Sequence, residues 1–93
     1  MDNFSTLSTI ANQINTESAS YPISAVLQLL AKTKATCESY ADFTYSKSTG
    51  STTAKYDLRV CRDLCVAGLN AGNNKSSLDS RFQAVKALLS TYA

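Results

Sequence analysis

Residues 76–92 read SSLDSRFQAVKALLSTY, and within them Leu78, Phe82, Val85, Leu89 and Tyr92 recur at helical spacing. Side chains three or four positions apart share one face of a helix, so the stretch predicts an amphipathic helix with one side made for burial. Ser76 and Asp79 stand in the order of a capping pair at its start. Working back from this segment, three others show the same period.

A first helix is expected over about 4–17, lining up Phe4, Leu7, Ala11 and Ile14 with Ile10 beside them, and capped by Asp2 or Asn3. A second is expected over 22–45, opened by Pro22, whose fixed φ suits a first helical turn. Ile23, Val26, Leu27, Leu30, Cys37 and Ala41 share its main face, and Leu29, Tyr40 and Phe43 widen it. Its end falls between Asp42 and Ser46, because Phe43, Thr44 and Tyr45 favour strands and 46–53, with Gly50 inside, has the composition of a loop. A third helix, over 53–70 with Thr52 or Thr53 as cap, carries Leu58, Cys61, Leu64, Cys65, Gly68 and Leu69 on one side. No strand-period segment of useful length competes in this reading. The expected fold is all-α: one domain over 1–93, an antiparallel up-down-up-down four-helix bundle with helices at 4–17, 22–45, 53–70 and 77–92. A three-helix domain with a loosely attached first segment is the structural alternative.

Composition narrows the function classes. With 44% hydrophobic and 17% charged residues the chain has enough apolar material for a core, while its unbroken apolar runs are too short to span a membrane. A net charge of +2, spread along the chain, is too mild to imply nucleic acid or an anionic membrane. Met1-Asp2-Asn3-Phe4 lacks a basic and then apolar leader pattern. The cytoplasm is the default expectation, with a lumenal or virion-associated setting if a leader was removed or the chain is viral. Asn3-Phe4-Ser5 and Asn74-Lys75-Ser76 match the glycosylation pattern, as chance allows in a chain rich in Ser and Asn.

The chain has no His, which removes the usual general base at neutral pH and the commonest metal ligand. The acids Glu17, Glu38, Asp42, Asp57, Asp63 and Asp79 are scattered, and Gly50, Gly68 and Gly72 form no phosphate-binding pattern. The expectation is a protein that is not an enzyme and needs no cofactor or metal. Cys61 and Cys65 lie one helical turn apart and Cys37 belongs to the neighbouring helix, a candidate thiol cluster. Core packing is the leading reading of the three, ahead of a Cys37 disulfide to the third helix and of ligand attachment.

Within 56–68, Tyr56-Asp57-Leu58-Arg59 followed by Val66-Ala67-Gly68 resembles a stretch of phycobiliprotein α-type subunits. That resemblance implies bilin attachment through cysteine. The chain is far shorter than those subunits, however, and Cys61-Arg62-Asp63 lacks the spacer of their Cys-x-Arg-Asp motif, so the function is not carried across.

Lys55, Arg59 and Arg62 line one expected helix edge, and Tyr40 and Tyr45 lie near a segment end, where tyrosine favours interfaces. These five residues form the candidate interaction surface, against the plainer reading of a solvated basic face. Thr33 and Lys34 interrupt the stripe of the second helix. Lys34 can snorkel to the edge, and Thr33 can bond back to a carbonyl of the preceding turn. The expected function is a non-enzymatic interaction or structural accessory subunit that docks onto a larger assembly, such as an extrinsic photosynthetic-complex subunit or a phage or viral structural or host-inhibitor protein. A thiol-dependent ligand or chromophore carrier and a small nucleic-acid-binding regulator are the alternatives. A protein partner or larger complex is expected, nucleic acid is not, and a homo-oligomer is compatible with the pattern.

Overall fold

The stripe of the last helix folds as its spacing demands, but the middle of the chain does not. A computed structural model describes residues 3–93. It contains four helices, α1 (Asn3–Gln13), α2 (Ile23–Glu38), α3 (Arg59–Ala71) and α4 (Lys75–Tyr92). Between α2 and α3 lies an antiparallel hairpin, β1 (Thr44–Thr49) and β2 (Thr52–Asp57). The molecule is therefore mixed α and β, which corrects the all-α four-helix bundle expected from periodicity.

The hairpin takes residues that the sequence reading divided between the end of one helix and the start of the next. Helix α2 stops at Glu38, and Asp42 and Phe43 then adopt φ of 53° and 54°. Left-handed backbone cannot continue a right-handed helix, and after it the chain runs out as β1. Gly50 at φ 62° opens the two-residue turn Gly50-Ser51, the sign a hairpin turn requires at its first central position. The ladder pairs Thr49 with Thr52, Tyr45 with Tyr56 and Thr44 with Asp57. Alternation puts Tyr45, Lys47, Ala54 and Tyr56 on one half-buried face and leaves Thr44, Ser46, Thr53 and Lys55 on the exposed one. Thr52 and Thr53, expected as a helix cap, belong to β2. Helix α3 begins after Leu58, where the Asp57 carboxylate accepts from the Arg59 backbone N–H at 3.0 Å.

The helical caps differ in detail from expectation. Asn74, two residues before Ser76, caps α4 by accepting from the Ser77 N–H at 3.2 Å. Asp2, the other cap considered for α1, lies outside the described residues, and Asn3 is already helical.

The four helices touch in the order α1, α2, α3, α4 and back to α1. Phe4, Leu7 and Ala11 of α1, Val26, Leu29 and Leu30 of α2, Cys61 and Cys65 of α3, and the five stripe residues of α4 form one core. Gly68 permits the close meeting of α3 with α2, since a Cβ there would sit 2.5 Å from Leu30 Cδ1. Thr33 is fully buried and its hydroxyl has no hydrogen-bond partner among the described residues, so the bond it could make back to the preceding turn does not form. Lys34 does reach the edge, where it pairs with Glu38 at 3.0 Å.

The hairpin touches this body only at its root. Each strand contacts the other far more than any helix. The molecule measures 45 × 23 × 18 Å, whereas the 18 residues of α4 make a rod of about 27 Å. Six paired residues add about 20 Å, which accounts for the excess length as an arm. Among the described residues no helix is long and apolar enough to cross a membrane.

Candidate functional site

The three cysteines come together, but out of reach of solvent. Cys37, Cys61 and Cys65 are free and fully buried. They form a row of free thiols in which Cys37 neighbours Cys61 and Cys61 neighbours Cys65 in hydrogen-bonding contact. Its hydrogen bond with Cys61, followed by burial, pushes the Cys37 thiol well above the ordinary thiol range. For Cys61 the hydrogen bond with Cys37 pulls downward. The hydrogen bond with Cys65 and burial outweigh it, and the thiol is pushed up to about 12. Thiolates are the nucleophiles and metal ligands of cysteine chemistry, so this environment opposes both uses. A row also differs from a convergent cage: no group of three or more Cys, Asp or Glu side chains among the described residues is placed to hold a metal ion.

Tyr40 and Tyr45, expected on an interaction surface, stand half-buried in an aromatic cluster at the root of the hairpin. Phe4 lies 4.8 Å from Tyr45, 5.1 Å from Tyr92 and 5.6 Å from Tyr40, ring centre to ring centre. Tyr56 completes the group 5.2 Å from Tyr92. Offset and edge-to-face contacts of this kind contribute about 0.5–1.5 kcal/mol each beyond area burial. The hairpin also closes the end of α4: the Tyr45 hydroxyl donates to the Tyr92 carbonyl at 2.9 Å, and Lys47 Nζ donates to the Thr91 carbonyl at 3.3 Å. These carbonyls belong to the last turn of the helix, where a cation is favoured by the dipole.

Beside this root sits the strained pair. A left-handed Phe costs about 1–3 kcal/mol, and several contacts offset it. The Phe43 N–H donates to the Tyr40 carbonyl at 3.0 Å, and its own carbonyl accepts from the Leu58 N–H at 2.8 Å. The Arg59 and Arg62 guanidiniums lie over its ring at 5.2 and 4.6 Å, each worth about 0.5–1 kcal/mol at an exposed site.

This arrangement divides the expected basic edge. Arg59 pairs with Asp57 at 3.1 Å, and Arg62 pairs with Asp63 at 2.7 Å and with Glu38 at 4.0 Å. The bond from the Arg59 backbone N–H, with help from its guanidinium, holds the Asp57 carboxyl below the ordinary range, so Asp57 stays charged opposite Arg59. Lys55 alone of the three points from the outer face of the hairpin without a carboxylate partner among the described residues. A phosphate approaching this edge would have to compete with three acids.

The feature missed in the sequence is the arm itself. Its end, Ser48-Thr49-Gly50-Ser51-Thr52-Thr53, is exposed throughout, uncharged and built of hydroxyl side chains and one Gly. In a hairpin closed by a two-residue turn, alternate residues aim their backbone groups outward, here Ser46 and Ser48 on β1 and Thr53 and Lys55 on β2. Both edges thus present backbone donors and acceptors to a partner. The signal was present in the sequence as Gly-Ser between two Thr-rich runs with Tyr45 and Tyr56 equidistant from it. Comparison with known proteins assigns no family to this geometry: no family model, no curated protein and no solved structure matches the chain.

Proposed function

We propose that this chain is a non-enzymatic interaction subunit that docks onto a larger assembly through its hairpin arm. The observation that carries the reading is the arm's independence from the core: two strands with open edges stand beyond a helical body that is already closed. An isolated two-stranded hairpin is marginal in water, and a partner that adds a strand or encloses the tip supplies the contacts it lacks. Hydroxyl side chains and unpaired backbone groups suit such docking, because they offer hydrogen bonds without exposing a large apolar patch.

The thiol carrier has less support, since its three sulfurs are sealed from solvent and the Cys37 and Cys61 thiols are pushed toward their protonated form. An intact mass above that of the polypeptide would revive it. The nucleic-acid reading has less support because Arg59 and Arg62 are engaged by acids, and strong, salt-dependent retention on random duplex would restore it.

The test compares the native chain with one lacking Ser48, Thr49, Thr52 and Thr53. Removing two residues from each strand keeps the face alternation and leaves Lys47 and Ala54 flanking the Gly50-Ser51 turn. Each is purified gently from its native source, and its native mass and co-purifying species are measured. The full arm is expected in a larger complex and the shortened arm as the free chain, with equal helical content. A full-length protein recovered at its own mass, or a complex that survives the shortening, overturns the proposal.

A further inference from the structure

Helix α3 carries two apolar stripes. Cys61, Cys65 and Gly68 face the core. Val60, Leu64 and Ala67 repeat that spacing one residue earlier, about 100° around the helix, and border an open groove shared with Ala84 of α4. Val60 is 61% exposed, the one large hydrophobic residue so placed among those described.

The rim of this groove has mixed charge, with Asp63 contributed by α3 and Arg81 by α4. The two do not pair with each other, and Arg81 has no ion pair among the described residues. Asp63 holds Arg62 at 2.7 Å, but at an exposed site where such a pair is worth little and a second contact is open.

We infer that this face seats a second copy of the same chain in a reversible two-fold dimer. An isologous interface must be complementary to itself, and a patch of one sign fails that condition. This patch meets it. A two-fold axis along the groove lays α3 of one copy over α4 of the other, so that the apolar strips meet and each Asp63 faces the partner's Arg81. A strongly acidic or basic partner would match one side of the rim and oppose the other. The area sets the strength. The 13 residues of α3 make a helix about 20 Å long, and two helices side by side offer a footprint of about 400 Å², below the roughly 800 Å² per partner of stable complexes. The dimer is accordingly concentration-dependent, and it uses a surface separate from the hairpin arm.

The experiment is sedimentation equilibrium on the full chain, from about 10 μM to about 1 mM, a range spanning weak reversible association. Circular dichroism checks the fold of each variant. The native chain is expected to pass from monomer to dimer. Asp63→Arg alone and Arg81→Asp alone should each raise the dimer dissociation constant about tenfold or more, and the double exchange should return it to within about threefold of the native value. Val60→Ser should weaken the dimer with no change of charge. A native chain monomeric throughout, single exchanges that leave the constant unmoved, or a double exchange no better than either single overturns the inference.

Discussion

Helix α4, with 18 residues, and the hairpin, with two strands of six, are held by different physics. On α4 every fourth or third side chain, from Leu78 to Tyr92, is buried against α1 and α3. On the hairpin only Tyr45, Lys47, Ala54 and Tyr56 lose part of their exposure, and the outer residues keep theirs. Cooperative stability therefore resides in the helices, while the arm is fixed by its turn, its ladder and an aromatic root. This division lets the tip be shaped for a partner at little cost to the fold, because substitutions there disturb no packing.

The largest test of that contrast is Leu89→Ala. Leu89 is fully buried, and its truncation should cost about 2–5 kcal/mol in urea unfolding. A loss below about 1 kcal/mol would mean that the core is not the single unit described. The next effect is alkaline. Cys37 and Cys61 have folded values above the ordinary 9.0, so both states are protonated below that pH and the full stability is present. Above it the unfolded chain loses protons that the folded chain keeps. Stability then falls with a slope approaching about 1.4 kcal/mol per pH unit for each thiol, through the range up to about 12 for Cys61. Urea midpoints measured upward from pH about 8 should show the decline, and Cys61→Ala should flatten it. A native profile level through this range would place the thiols in solvent.

Thr33→Val should act in the opposite direction. It replaces a buried hydroxyl that has no partner among the described residues by a methyl of the same shape, and should stabilise by about 1 kcal/mol in the same unfolding assay. A loss would reveal a partner for the hydroxyl. The smallest effect belongs to the arm: Thr49→Ala and Thr52→Ala should stay within about 0.5 kcal/mol of the native chain. Amides of Ser46, Ser48, Thr53 and Lys55 should exchange with solvent faster than those in the middle of α4. Slow exchange at those four would show a covered edge and erase the distinction between body and arm.

What the sequence displays follows the same division. Burial writes a period into the chain, so Leu78, Phe82, Val85, Leu89 and Tyr92 were readable as one face, and Cys61, Cys65 and Gly68 as another. An arm with little burial writes almost none. The run from Thr44 to Asp57 is mostly Ser, Thr and Lys on both faces, and its alternation rests largely on Tyr45 and Tyr56. Thr52 and Thr53 are good caps in isolation, and only pairing with Thr49 and Ser48 makes them strand. The candidate residues divided likewise. That the two α3 thiols share a side follows from spacing, whereas the positive φ of Asp42 and Phe43, which sets Phe43 under two guanidiniums, depends on contacts across the fold.

The root of the hairpin also gives the protein its own optical label. The chain has no Trp and five Tyr. Tyr40, Tyr45, Tyr56 and Tyr92 are linked by ring contacts at 5.2–6.2 Å, while Tyr21 stands apart with its hydroxyl donating to Asp79 at 3.3 Å. Near-ultraviolet dichroism and emission therefore come from phenol rings, most of them at the seam between body and arm. A partner that lifts or clamps the arm alters that signal with no dye attached.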